Sequence, residues 1–155
     1  MESLEKVNLL ELIHSENDKI NHFQTTKEWE ENAVSELHMH KMLYILFGLF
    51  YKKFAKDLFE KPNFEAWESG PVEIDFRTAL KTQTLKQIDK FNIYLRHSEL
   101  EFLIKLINKF LHFSPWTLVD IVHTSDAWAN NYKPDGRNKI SVEDIRESFG
   151  LINNE

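Results

Sequence analysis

The stretch that most constrains the fold is the apolar run Met42–Phe50, which reads MLYILFGLF. It contains no charged side chain, so a helix formed by it has almost no polar face and must be buried. The run is too short to span a bilayer, and Tyr51-Lys52-Lys53 follow it directly. We therefore predict a central buried helix over residues 37–54.

The scarcity of turn residues narrows the fold class further. The 155-residue chain contains only 4 Gly and 4 Pro, which disfavours an all-β protein because tight turns depend on these residues. Lys61-Pro62-Asn63 separates Leu58-Phe59 from Phe64–Trp67 and predicts a small hairpin. Gly70-Pro71 then predicts a corner, with Pro71 as the first residue of a helix. The predicted fold class is mainly α, a compact helical domain around a central apolar helix with one small β-hairpin.

Periodicity and capping signals predict the remaining helices. Residues 1–14 place apolar side chains at helical spacing and predict a short helix, whereas the polar residues 15–26 predict a loop. Ser98, followed by Glu101, predicts a capped helix over 98–112. Serines also mark three later helix starts: Ser114 before Pro115 in a helix ending near His123, Ser125 before a short turn carrying Trp128, and Ser141 before a last helix ending at Gly150.

Charge and cysteine content limit the partners and the compartment. The net charge of −6 disfavours nucleic acid as a partner, and the predicted helix Pro115–His123 carries Asp120 but no Lys or Arg. The chain has no cysteine, so disulfides and thiolate metal sites are excluded. The N-terminal residues lack the basic and long apolar regions of a signal peptide. We expect a cytoplasmic protein without a membrane partner.

Candidate chemical groups do not form a recognisable catalytic or metal site. His38 and His40 diverge on a helix because they are two residues apart, so no metal ligand is predicted. No Gly-x-Gly phosphate loop is present, and we predict no cofactor. Four carboxylates surround Trp67 without a His, Lys or metal partner at a credible spacing, which indicates a solvated acidic rim rather than acid–base chemistry: Glu65, Glu68, Glu73 and Asp75. We predict no catalytic residue and no enzymatic activity.

Large aromatic residues beside turn and cap signals should anchor packing. We therefore expect Trp67 and Trp116 to be at least partly buried. His123 lies at a predicted helix C-terminus, where its ring can bridge to Trp128 or a neighbouring loop. The alternative is that His123 is an interface contact or a pH-sensitive group.

Two strings that contain three of the four tryptophans carry a family resemblance. They are EAWESGPV at Glu65–Val72 and FSPWTLVDIVHTSDAW at Phe113–Trp128. Together with Lys41–Tyr44 and Ile140–Phe149, they resemble the hallmarks of the Panacea domain, also called the SocA-like or phage GepA-like domain. The resemblance runs from about Leu37 to Phe149.

Three positions in this chain depart from the family pattern. An aromatic residue commonly precedes the Gly-Pro-Val, where this chain has Ser69. A proline commonly follows it, where Ile74 stands, and the usual tyrosine a little further on is replaced by Arg77. These departures leave the expected fold unchanged and bear on which partner is bound.

The resemblance implies an antitoxin that neutralises a cognate protein toxin by direct protein–protein contact. The alternative that it leaves open is a proteolytic adaptor, which brings its target to an AAA+ protease, or a phage-encoded inhibitor that tethers a target protein to host machinery. Residues 1–35 are then an N-terminal helical extension, and residues 36–155 are the Panacea-like domain. The expected partner-binding residues come from the two strings: Glu65, Trp67, Glu68, Gly70, Pro71, Trp116, His123 and Trp128.

Overall fold

The computed structural model describes residues 3–22 and 34–150. Within these ranges the chain forms seven α-helices and five short strands, so it is mainly α as predicted. In chain order the elements are β1 (Leu4–Asn8), α1 (Leu9–His22), α2 (Glu36–Phe54), β2 (Phe64–Trp67), β3 (Gly70–Glu73), α3 (Ile74–Thr82), β4 (Asn92–Arg96), α4 (His97–Leu111), α5 (Pro115–Val122), α6 (Asp126–Asn131), β5 (Asn138–Ile140) and α7 (Val142–Gly150).

Helix α2 contains the apolar run and is buried from His38 to Gly48 and at Phe50. Ser35 caps its N-terminus by accepting a 3.1 Å hydrogen bond from the amide of His38. Helices α4, α5 and α7 and strand β3 all contact it. Phenylalanines fill the space beside α2, and the Phe47 and Phe91 rings each lie 5.1 Å from the ring of Phe59. No helix of the two described ranges is long and apolar enough to cross a membrane.

A hairpin exists, but the predicted strand pairing is wrong. Strand β2 pairs with β3 across Glu68-Ser69, not with Leu58-Phe59 across the earlier turn signal. Strand β5 pairs with the other side of β2, so β3 is an edge strand, where a proline is tolerated. Pro71 therefore lies in β3 opposite Ala66, and not at the start of a helix. Helix α3 begins at Ile74 because the carboxylate of Glu73 caps it.

The N-terminal residues form a strand where a helix was predicted. Residues 4–8 pair with β4 in a second, two-stranded antiparallel sheet. Helix α1 starts only at Leu9 and continues to His22, through most of the predicted loop; residues 23–26 of that loop lie outside the described residues. Residues 4–8 form a strand because they pair with residues almost ninety positions away, and this pairing outweighs their local helical preference. No local sequence pattern predicts the pairing.

The later helices begin after their predicted serines except for α4, although Ser125 at the start of α6 makes no side-chain capping hydrogen bond. Ser114 caps α5, with Pro115 as the first helical residue, and Ser141 accepts from the amide of Asp144 at the start of α7. The predicted capping box of α4 is displaced by two residues, because β4 runs directly into the helix. Its cap position is Arg96, whose amide donates to Glu99 at 2.8 Å.

Candidate functional site

The two tryptophan-containing strings meet at the turn between β2 and β3. The indole Nε1 of Trp128 donates a 2.7 Å hydrogen bond to the carbonyl oxygen of Trp67. The Nε2 of His123 donates to the carbonyl oxygen of Glu68 at 3.0 Å. These bonds join residues 61 and 55 positions apart in the chain, so they attach the hairpin turn to the corner between α5 and α6.

An aromatic stack supports this corner. The His123 ring lies 4.3 Å from the Trp128 ring, with 26° between their planes. Trp128 in turn stacks on Tyr132 at 4.9 Å. The sequence-based interpretation of His123 as a helix-end residue bridging to Trp128 is confirmed, and its imidazole remains exposed to solvent.

Trp67 is half-buried, as predicted, and two guanidinium groups lie against its ring. The guanidinium carbon of Arg77 is 5.0 Å from the ring centroid, and that of Arg137 is 4.0 Å away. The indole Nε1 donates to Glu65 at 2.9 Å. The ring is therefore fixed in orientation by one hydrogen bond and by two cations from different elements.

Gly70 and Pro71 are buried behind this corner. Gly70 has φ of +112°, and a Cβ there would lie 2.6 Å from Cγ2 of Val122. The carbonyl oxygen of Pro71 accepts a 2.8 Å hydrogen bond from Nζ of Lys41. Both residues hold the hairpin against α2 and α5, so they shape the surface without forming part of it.

Trp116 lies elsewhere, and the expectation that it is partly buried is wrong. Its side chain is 66% exposed at the start of α5, at the opposite end of that helix from His123. The buried face of α5 is formed by Leu118, Val119 and Val122. The cap and the first proline are enough to start the helix, so Trp116 is not needed as an anchor.

The acidic rim predicted around Trp67 is only partly present. Glu65 and Glu68 lie at the hairpin turn, but Glu73 is fully buried. Its carboxylate accepts from the amides of Asn63 and Phe76, both at 2.9 Å, and pairs with Lys90. Glu73 is therefore a structural cap. Within the described ranges no three His, Asp or Glu side chains converge closely enough to hold a metal ion.

A pocket of about 610 Å³ opens beside the hairpin turn. It lies between the start of α2, the turn and the loop that joins α6 to β5. His40 is at its floor, where Nδ1 accepts from the amide of Glu73 and Nε2 donates to Glu36 at 3.0 Å. Burial lowers the pKa of His40 to about 4, so the ring is neutral near pH 7.

The charges in this pocket are unevenly matched. Lys41 is fully buried, and burial lowers its pKa to about 8 despite the nearby Glu36. Burial acts to raise the pKa of Glu36, but hydrogen bonds from His40 and Arg77 outweigh it and the pKa is lowered overall. The Arg77 guanidinium lies 2.7 Å from the same carboxylate. The Glu36 carboxylate thus accepts from two donors, whereas within the described residues the Lys41 ammonium donates only to the Pro71 carbonyl.

The sequence reasoning missed the cations of this site. In the sequence, Lys41 stands out only as the first residue of the Lys41–Tyr44 block of the family resemblance, and Arg137 lies in a loop without periodicity. Arg77 stood out as a departure from the family pattern. A lysine beside an apolar helical run was the one available signal, because such a residue must be buried or find a partner. Arg137 reaches Trp67 only through the pairing of β2 with β5.

Comparison with protein families and known proteins gives one match. The family described as "Antitoxin SocA-like, Panacea domain" matches residues 39–129, a range that includes both tryptophan-containing strings. Neither the curated proteins nor the solved structures gave a match.

Proposed function

The chain belongs to the antitoxin SocA-like, Panacea-domain family, and from this membership we propose that it is a non-enzymatic binding protein that neutralises a cognate protein toxin by direct contact. We place its action in the cytoplasm, where a toxin made in the same cell would be met.

One observation carries the choice of surface. The two hallmark strings are joined by the Trp128–Trp67 and His123–Glu68 hydrogen bonds into one corner that leaves polar side chains exposed. We call this surface the hairpin corner and define it as Glu65, Trp67, Glu68, His123 and Trp128. Half-buried tryptophans surrounded by polar groups are typical of binding hot spots.

Electrostatics favour a protein over a nucleic acid as the target. The chain carries a net charge of −6, and α5 presents Asp120 without any Lys or Arg. A nucleic-acid backbone would be repelled overall, whereas a basic protein surface would be attracted to Glu68 and its neighbours. The acidic side chains should mainly speed association, and the aromatic ones should slow dissociation.

Co-expression with the toxin-like reading frame beside the gene tests the proposal. Wild-type protein should restore growth and co-purify with the toxin, whereas Glu68→Lys and His123→Ala should weaken both, after circular dichroism shows that each variant is folded. Glu60→Lys is a matched control, because Glu60 is exposed and precedes β2 at the end opposite the hairpin turn. Failure of the wild type to bind any product of the neighbouring frame would contradict the proposal.

The same experiment separates the adaptor alternative from direct neutralisation. A direct antitoxin leaves the toxin intact in a stable complex, so the toxin level should stay constant while growth recovers. An adaptor would lower the toxin level, and the toxin would reappear in a strain that lacks the relevant AAA+ protease.

A further inference from the structure

Two cations of the pocket beside Trp67 have no carboxylate partner among the residues that the structure describes. In the described part of the chain, neither Arg137 nor Lys41 has a carboxylate oxygen within ion-pair distance. Arg77, the third cation, is already paired with Glu36. Among the described residues, Arg137 and Lys41 are therefore left without a direct carboxylate contact, although Glu68 and Asp135 also line the pocket.

The geometry of Arg137 suits the recognition of a carboxylate. Its guanidinium carbon lies 4.0 Å from the centroid of the Trp67 ring, so the ring supports the guanidinium and restricts its orientation. A planar guanidinium held in this way presents paired N–H donors, which match the two oxygens of a carboxylate. An aromatic support also reduces the side-chain entropy that binding would otherwise cost.

Lys41 supplies charge from the floor of the same pocket. It is fully buried, and in the ranges that the structure describes its Nζ donates only to the carbonyl oxygen of Pro71, at 2.8 Å. An ammonium group has three N–H donors, so this lysine is incompletely satisfied. A negative group entering the pocket would stabilise its charged form, because opposite charges attract more strongly away from bulk water.

We propose that this pocket receives one carboxylate of the bound protein partner, which Arg137 holds above Lys41. The carboxylate belongs either to an Asp or Glu side chain of the partner or to the partner's C-terminus. The inference rests on the proposed function, since it assigns a contact within the toxin-binding surface. Glu68 and Asp135 at the exposed rim would repel a polyanion such as nucleic acid, but they leave room for a single carboxylate.

Blocked tripeptides test the carboxylate chemistry directly. The probes are acetyl-Ala-Glu-Ala-amide, the same peptide with Gln, acetyl-Ala-Ala-Ala with a free C-terminus, and inorganic phosphate. The readout is the indole Nε1–H resonance of Trp67, assigned with Trp67→Phe. The Glu peptide or the free C-terminus should shift it in a saturable way, and which of them does so identifies the source. Equal shifts with Gln, a shift with phosphate alone, or no shift up to the solubility limit would overturn the proposal.

Variants of Arg137 test the same contact in the complex with the toxin. Arg137→Gln should weaken toxin binding about tenfold or more, because a charge-assisted bidentate contact is lost. Arg137→Lys should recover part of it. Lys133→Gln is the matched control, since it removes one exposed cation from the same loop outside the pocket. If the wild type binds the toxin and Arg137→Gln binds equally well, the pocket inference is wrong while the antitoxin proposal stands. If the wild type binds no toxin, the antitoxin proposal fails, and the tripeptide result still decides whether the pocket binds carboxylates.

Discussion

Single residues hold the hairpin turn in place, and Gly70 is the least replaceable of them. Its φ of +112° is disfavoured for any residue with a side chain, and a Cβ would lie 2.6 Å from Val122 and 3.3 Å from Lys41. Two independent reasons therefore require glycine at this position, one conformational and one steric.

Gly70→Ala should destabilise the protein by about 2–4 kcal/mol, the combined cost of backbone strain and overpacking. Chemical denaturation monitored by circular dichroism measures this loss. Gly150→Ala is the control, because a Cβ there would meet no atom of the described residues within 4 Å. Equal stability of the two variants would show that the hairpin adjusts freely and is not held by Gly70.

Trp116 provides the opposite case. Because its side chain is 66% exposed, Trp116→Ala should change stability by less than about 0.5 kcal/mol. Phe59→Ala, at a fully packed position, should cost about 3–5 kcal/mol in the same denaturation experiment. A large loss in Trp116→Ala would mean that the ring is packed in solution.

His40 makes stability depend on pH. Burial lowers its pKa to about 4, below the ordinary value of 6.5, so between these values the unfolded chain binds a proton that the folded protein does not. Stability should therefore fall as the pH drops from about 6.5 to about 4, by about 3 kcal/mol from this group. The pKa of the neighbouring Glu36 is also lowered, so protonation of Glu36 at still lower pH should reduce the stability of the protein further.

Comparison with His40→Gln separates the contribution of His40 from that of the carboxylates. Denaturation curves between pH 7 and pH 4.5 should show a smaller loss for the variant than for the wild type, even if the variant starts less stable. Identical slopes for the two proteins would contradict a neutral, buried His40.

At the scale of elements, the contact between α2 and α7 depends on a small residue. A Cβ on Gly48 would lie 2.2 Å from the ring of Phe149. Alanine would favour the helix by about 1 kcal/mol, but overpacking costs about 1–3 kcal/mol, so we expect Gly48→Ala to lower the melting temperature. Adding Phe149→Leu should restore part of the loss, whereas strictly additive effects would show that the two residues do not touch.

The elements that the sequence predicts well are those with local signals. Ser114 with Pro115 and Ser141 each place a helix start correctly, because a cap needs only neighbouring residues. The hairpin register and strand β1 were not predictable in this way. In the sequence Pro71 resembles a helix start, and only the strand order β3-β2-β5 shows that it lies in an edge strand. Strand β1 forms only because it pairs with β4, which lies far along the chain.

At the scale of the whole molecule, the sequence predicts much of the exposed hairpin corner but not the pocket beside it. The two strings point to the residues that meet at the hairpin corner, with three exceptions: Gly70 and Pro71 are buried behind it, and Trp116 lies elsewhere. The pocket beside them is assembled from α2, the hairpin turn and the loop before β5, three segments that no local pattern connects. Its cations could be identified only once the fold brought them together.

The central claim is that the hairpin corner is where the toxin binds. Hydrogen exchange of the free protein and of its complex with the toxin tests this most directly, since amides covered by a partner exchange more slowly. Residues 65–69 and 123–132 should gain protection, with smaller changes elsewhere. Protection confined to residues 1–35, with no change at the corner, would contradict the account and place the toxin on the N-terminal segment.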